Sequence, residues 1–421
     1  MSVVTAPGQT AAPTPPPERR RPFAMQLWMW PLLILSVLAL TRVITGADDI
    51  SSPGTLRAAL VSAIPIALAG LGGLWSERAG VVNIGLEGMM ILGTLGAGYY
   101  TYYYGVWAGV LGAVIFGAIG GVLHAVATVV FNVDHIVSGV AINIIAAGVA
   151  SFLAELFFSG MPGGGPTQSP SLDKPPTITV PGLSDASANL ADRHWFLVSD
   201  FSALVNALVT GMSIFTLLAL ALIFGTGWLL WRTSFGLRLR SCGESPTAAE
   251  TLGVHVYRYK FLAVVASGMF AGLGGAYLTL VASSGYQNGA TNGKGYIGLA
   301  AMIFGNWRPG GLLTGSLLFG YTEGARLRSG GESVHALLLI VVVGLLGLAV
   351  WQVRKQRWIT AGLSASVGGL GLVWYLSVDE IPGDFTEMTP YVTTLLVLAV
   401  ASQRLRMPAA DGVRYRRGRA G

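Results

Sequence analysis

Charge is what this sequence has least of. Only 11% of its 421 residues are Asp, Glu, Lys or Arg, against roughly 25% in soluble domains. So few charges cannot cover a soluble enzyme of this size, and a hydrophobic content of 52% excludes a disordered chain. A single cysteine, Cys242, excludes an internal disulfide and with it a disulfide-stapled secreted domain. The five histidines show no metal-ligand spacing. No P-loop is present: the nearest string, Gly289-Ala-Thr-Asn-Gly293-Lys294-Gly295, has the wrong spacing and lacks the Ser or Thr after Lys. H-E-x-x-H and G-x-S-x-G are missing too. With no paired acids, nucleophile–base pair or metal set, neither an enzyme nor a cofactor of its own is expected. Energy for any work would come from a partner or an ion gradient.

What remains is a polytopic membrane protein, all-α, a helical bundle of about 10–12 segments with interrupted helices. Candidate spans run 27–45, 56–75, 88–104, 106–130, 136–158, 203–231, 261–282, a short 296–306, then 311–327, 334–353, 358–377 and 389–403. Residues 1–24 read as a disordered Pro-rich tail, 25–403 as the membrane domain and 404–421 as a basic tail. Lys and Arg exceed Asp and Glu by 26 to 20. With the N-terminus inside, most basic residues fall on the inner side: Arg19 to Arg21, Arg78, those from Arg232 to Lys260, Arg308, Arg354 to Arg357, and those from Arg404 onward. The outer side holds Arg42, Arg57, Lys174, Arg193, Lys294, Arg326 and Arg328. This asymmetry is the positive-inside pattern. It puts both termini in the cytoplasm and makes a lipid bilayer, not nucleic acid, the partner that the positive balance serves. The acids Asp173, Asp185, Asp192 and Asp200 fall in a long outer loop, 159–202.

Three stretches carry more than hydropathy. In the first, Ser76-Glu-Arg-Ala-Gly-Val-Val-Asn-Ile-Gly-Leu-Glu-Gly-Met-Met90, polar residues interrupt the apolar run where the chain re-enters the membrane. Asn83 and Glu87 stand four residues apart among glycines. An ionisable group at membrane depth faces a cavity or a partner, so Glu87 either braces a helix end or lines a substrate path. Asn143 is a further cavity candidate within a span, as is Glu323. The second stretch, 232–260, contains Ser245-Pro246, a helix start with proline at the first helical position. Ala248, Ala249 and Leu252 follow at helical spacing and Gly253 is a stop. A short helix with a small, uncharged face suits docking of a soluble partner. The third, 293–311, is too short to span. Its Ile297-Gly-Leu-x-x-Met302 echoes Ile84-Gly-Leu-x-x-Met89, as inverted repeats with broken helices would. Gly105/Gly109, Gly268/Gly272 and Gly311/Gly315 are G-x-x-x-G pairs suited to close helix packing. Tyr99, Tyr100 and Tyr102 to Tyr104 suit an interfacial aromatic belt.

The stretch 76–90 closely resembles permease subunits of bacterial nucleoside and simple-sugar ABC importers, within the branched-chain amino acid and ribose permease superfamily. Gly243 to Val254 is similar to that family's coupling helix. The stretches 253–280, 295–320 and Met388-Thr-Pro-Tyr391 are similar to it as well. The resemblance implies a type II importer-like permease in the bacterial inner membrane that forms half of a nucleoside pathway. It implies a second related permease, a cytoplasmic ATPase that binds the ATP, and an extracytoplasmic substrate-binding lipoprotein. The coupling helix would comprise Ser245, Pro246, Ala248, Ala249, Leu252 and Gly253, with Asn83, Glu87 and Asn143 lining the path. Residues 334–378 depart from the pattern as an additional helical hairpin. Two alternatives stand beside this reading: an ion-coupled secondary transporter using Glu87, and an ABC permease for a simple sugar.

Overall fold

The computed structural model describes residues 29–389, 392–395 and 405–418. The tail 1–24 and most of the segment 389–403 lie outside these. In chain order the helices are α1 (Met29–Thr45), α2 (Pro53–Arg78), α3 (Leu86–Tyr104), α4 (Val106–Ala125), α5 (His135–Phe158), α6 (Leu183–Ala191), α7 (Val198–Val209) and α8 (Ile214–Arg232). They continue with α9 (Ser234–Glu244), α10 (Pro246–Thr251), α11 (Val256–Tyr277), α12 (Lys294–Phe304), α13 (Pro309–Arg354), α14 (Trp358–Ser377) and α15 (Gly383–Thr386). α4 and α11 each end in a π-helical turn. Strand is confined, among the described residues, to one two-residue pair, β1 (Thr177–Ile178) antiparallel to β2 (Met212–Ser213).

Among the described residues, seven helices are long and apolar enough to cross a bilayer: α2, α4, α5, α8, α11, the second part of α13 from Gly330, and α14. Three other expected segments fall short for identifiable reasons. α3 carries Glu87, several glycines and a tyrosine-rich end. α12 has 11 residues. The first part of α13 carries Glu323, Arg326 and Arg328.

α2 is the hub, with 83% of its apolar window buried. It is apolar on all sides and glycine-rich, the pattern of a helix surrounded by protein. α11, α12 and α13 pack around it, while α3 and α4 pack on α11. Small residues set these approaches: a Cβ on Gly268 would overlap the carbonyl of Gly117, and one on Gly272 that of Ala113. The pair Gly268/Gly272 is thus the α4–α11 contact. Gly311 and Gly315 likewise meet α12 and its end at Gly305 and Ala301. Gly105 instead sits in the α3–α4 turn with open space around it.

The segment 203–231, expected as one span, is two helices. Thr210 to Ser213 breaks it, with Gly211 at φ +62 and the Ser213 side chain capping α8. The expected outer loop is also more ordered than a loop. α6 and α7 pack together there. Asp200, read as a loop acid, is fully buried, 3.4 Å from Arg42, with Ser51 and the Leu197 N–H donating to it. A buried acid tolerates desolvation only when paired in this way. The segments 311–327 and 334–353 are one element, α13, bent at Gly330 (φ 56, ψ −125). Its second part and α14 form a helical hairpin. Only 11% of the α14 window is buried.

The tyrosine cluster ends α3 with Tyr102, Tyr103 and Tyr104 exposed and Tyr99 4.5 Å from Phe157. This is the geometry of a belt. Glu323 is no cavity residue, since both oxygens accept from Arg326 at 2.9 and 3.0 Å.

Candidate functional site

The chain leaves α2 at Arg78, turns, and runs without helix through Val81–Asn83 to the start of α3. This break is built by the residues the sequence singled out. The Asn83 carbonyl oxygen accepts from the Gly85 N–H at 3.0 Å, and its amide donates to Ser267 on α11 at 2.8 Å. Asn143, on α5, accepts from the Gly88 N–H at 2.7 Å. Its amide donates to the Ile84 carbonyl at 3.0 Å and to the Tyr296 hydroxyl at 2.9 Å. His124 adds a third bracket, with its ring nitrogens 2.9 Å from Ser138 and 3.0 Å from the Val82 carbonyl. Irregular backbone inside a bundle needs all its polar groups satisfied by protein. Asn83, Asn143 and His124 supply that.

Glu87 lies in the first turn of α3, almost fully buried. One oxygen accepts from the Gly293 N–H at 2.9 Å and the other from the Gly295 N–H at 2.7 Å. These are the opening N–H groups of α12. Gly293 adopts the left-handed φ of +76 that lets the turn present them. The carboxylate therefore caps a second helix through N–H groups and the positive helix end, both favourable to an anion. Such a cap accounts for both oxygens. The glycine string that failed as a nucleotide loop is an anion cradle after all, filled by a side chain of the same protein. Lys294, half-buried, opens α12 beside Glu87, with Gly298 against the Gly70 backbone of α2. The echo between residues 84–89 and 297–302 does not persist in space. Gly85 is the N-cap of α3, whereas Gly298 lies inside α12.

The three candidates thus converge on one junction, with most of their hydrogen bonds spent on framework. Toward the outside, Tyr296 is 46% exposed while bonded to Asn143. Glu155 on α5 and Asn288 before α12 are exposed as well, and Asn288 donates to Ser151. This makes a polar strip on the α5–α12 face of an otherwise apolar bundle. A groove of about 410 Å³ lies elsewhere, lined by residues such as Phe224, Trp231, Arg308 and Pro309, and by none of the three candidates.

At the end of α2, Glu77 accepts from the Trp307 indole N–H, and Arg78 donates twice to the Trp307 carbonyl. Asp411 is buried beside Glu77. Burial pushes its carboxyl up to about 7, and contact with Glu77 and the charges of Lys260 and Arg78 offset this only in part. Sequence reading missed Ser267, Tyr296 and Asp411. Each gains its role from a partner more than a hundred positions away, and nothing local marks it.

The short helix forms where expected. Ser245 is the N-cap of α10, Pro246 its first residue, and Gly253 follows at φ +81. Its faces differ, however. Ala248 and Leu252 are exposed, Leu252 at 85%, while Ala249 is buried against Cys242, Val256 and Tyr415. Ala249 is therefore a packing residue of α10 and not part of its outer face.

The sequence profile of a family described as branched-chain amino acid transport system, permease component, matches residues 55–345. Among known proteins, the chain is similar to the guanosine ABC transporter permease protein NupQ of Bacillus subtilis, 32% identical over 370 residues, 86% of this chain and 96% of that one. It is similar to the nucleoside ABC transporter permease protein NupC of Lactococcus lactis, 32% identical over 363 residues, 85% and 94% of the two chains. It is similar to the putative glucose ABC transporter permease protein TsgC13 of Haloferax volcanii, 34% identical over 277 residues, 66% and 78%. No solved structure matches it.

Proposed function

The chain belongs to the branched-chain amino acid transport system permease family, transport permeases and not enzymes, and from that premise we propose that it is one of two permease subunits of an ATP-driven nucleoside importer. The observation that carries this is the polar strip on the α5–α12 face, with Tyr296, Glu155 and Asn288 open to the outside of the bundle. Polar groups facing lipid are costly. A second, related permease closing over this face would turn the strip into one wall of a water-filled path. Asn83, Glu87 and Asn143 hold the broken helices that shape this wall, and Tyr296 is the group of that network nearest the substrate. α10, with Leu252 outermost, docks a cytoplasmic ATPase that binds ATP. An extracytoplasmic lipoprotein delivers substrate. Both termini are cytoplasmic, in a bacterial inner membrane.

Nucleosides are favoured because relatives named for guanosine and nucleosides cover 86% and 85% of this chain. The relative named for glucose covers less of it. An ion-coupled carrier using Glu87 is disfavoured because both carboxylate oxygens are held by backbone N–H groups. The test is uptake of labelled nucleosides and of glucose by cells carrying the whole transporter, with and without this chain. Nucleoside uptake lost on its removal supports the reading, and glucose uptake lost instead would replace the substrate. Proton-driven uptake by liposomes holding this chain alone would overturn the ABC mechanism.

A further inference from the structure

Residues 405–418 were expected to be no more than a basic tail. They form a strap across the end of the bundle that carries α9 and α10. The Arg406 N–H donates to Asn306 at 2.7 Å, between α12 and α13. The Ala410 N–H donates to the Gly243 carbonyl on α9 at 2.8 Å. Arg414 pairs with Asp134, before α5, at 3.3 Å. The strap then reaches α10. Tyr415 is buried among Cys242, Ala249 and Val256, its ring 5.3 Å from that of Tyr257. Its hydroxyl donates to one oxygen of Glu250, and Arg417 lies 2.8 Å from the other. Glu250 is the single acid of α10, so the strap holds that helix by its one charged handle. Ala248 and Leu252 stay open.

The surrounding surface is basic. Arg238, Arg258, Arg414, Arg416 and Arg417 are exposed. The nearby acids Glu244 and Glu250 are already paired, with Arg78 and Arg417. Arg416 makes no ion pair among the described residues. A neutral knob, Leu252, accompanied by Arg238, Arg258 and Arg416, which make no ion pair among the described residues, fits an acidic partner surface.

We propose that the C-terminal strap and α10 form one docking surface for an acidic face of the cytoplasmic ATPase. Tyr415 and Arg417 position α10, and Arg416 belongs to the charged rim. This rests on the reading of α10 as the docking helix.

The complete transporter, reconstituted in phosphatidylcholine liposomes, tests both. Arg416→Glu is expected to weaken retention of the ATPase about tenfold at low salt, with an unchanged melting temperature. Tyr415→Ala with Arg417→Ala should lower ATP-driven uptake, and Tyr415→Phe with Arg417→Lys should restore part of it. Leu252→Glu probes the docking helix separately. Retention lost with Leu252→Glu but unaffected by every strap variant would overturn the strap and spare α10. Retention unaffected by all variants would remove both. An Arg416→Glu effect seen only when anionic lipid is added would make the membrane surface the partner and overturn the proposal.

Discussion

At the scale of single residues, the carboxylates divide by what surrounds them. Glu87 is anchored by two backbone donors and acts as a brace between α3 and α12. Glu87→Gln keeps one acceptor but turns an amide N–H toward a backbone N–H. Hydrogen bonds to a charged group are worth about 1.5–3 kcal/mol. The variant is expected to lose about that much stability, read as a lowered melting temperature, with transport falling in parallel. Transport lost at an unchanged melting temperature would assign the carboxylate to substrate instead. Asp411 is the opposite case, a buried carboxyl set against a second carboxyl, that of Glu77. Glu77 and Arg78 face it from α2 and Lys260 from α11. Its docked pKa, about 7, lies above the free value near 3.8. The docked strap therefore prefers the protonated form. Its attachment is strongest below the free value, weakens as pH rises, and levels off above about 7. Asp411→Asn should flatten this dependence. Trypsin cleavage after Arg416 at pH 8 should be about tenfold slower in the variant than in the parent. Equal rates would show that the carboxyl does not govern docking.

At the scale of elements, local rules predicted starts and stops well. α10 begins at Ser245-Pro246 and is followed by Gly253, for the capping reasons its sequence states. Which way that helix faces was not legible, because six residues with two alanines and one acid have no clear apolar stripe. The strap decides it by covering Ala249. Ala249→Asp would bury an unpaired charge against Tyr415 and Val256. It is expected to cost about 3 kcal/mol or more and to free the strap to protease. Wild-type protease resistance would contradict the packing described. The merged span 203–231 failed for a related reason. Hydropathy averages over Thr210 to Ser213, whereas β1 pairing and the Ser213 cap require a break there.

At the scale of the whole molecule, a central α2 is wrapped by helices that approach it and each other through glycine. The α4–α11 crossing depends on Gly268 and Gly272, where any Cβ meets a facing carbonyl. Gly272→Val is expected to destabilise the bundle by about 3 kcal/mol, the upper range for overpacking. Reduced yield of folded protein and a lower melting temperature would show it. A variant as stable as the parent would mean the two helices can separate without loss. The hairpin of α13 and α14 should be far more tolerant. Leu370 is 72% exposed, and Leu370→Ala should change stability by less than about 0.5 kcal/mol.

Composition and hydropathy by themselves determined that this is an all-helical membrane chain, because burial in lipid leaves so few alternatives. The re-entry motif marked Asn83 and Glu87, because polar residues at depth are conspicuous against an apolar background. Tertiary structure alone decided what those groups do. Hydrogen-bond partners such as Ser267, Gly293 and Tyr296 lie far along the chain, and no periodicity encodes a contact across such a separation. The scarcity of charge has the same double character. From sequence the few charges are expected to sort by side. Only the folded chain placed Arg42 with Asp200, Arg417 with Glu250, and Asp411 beside Glu77.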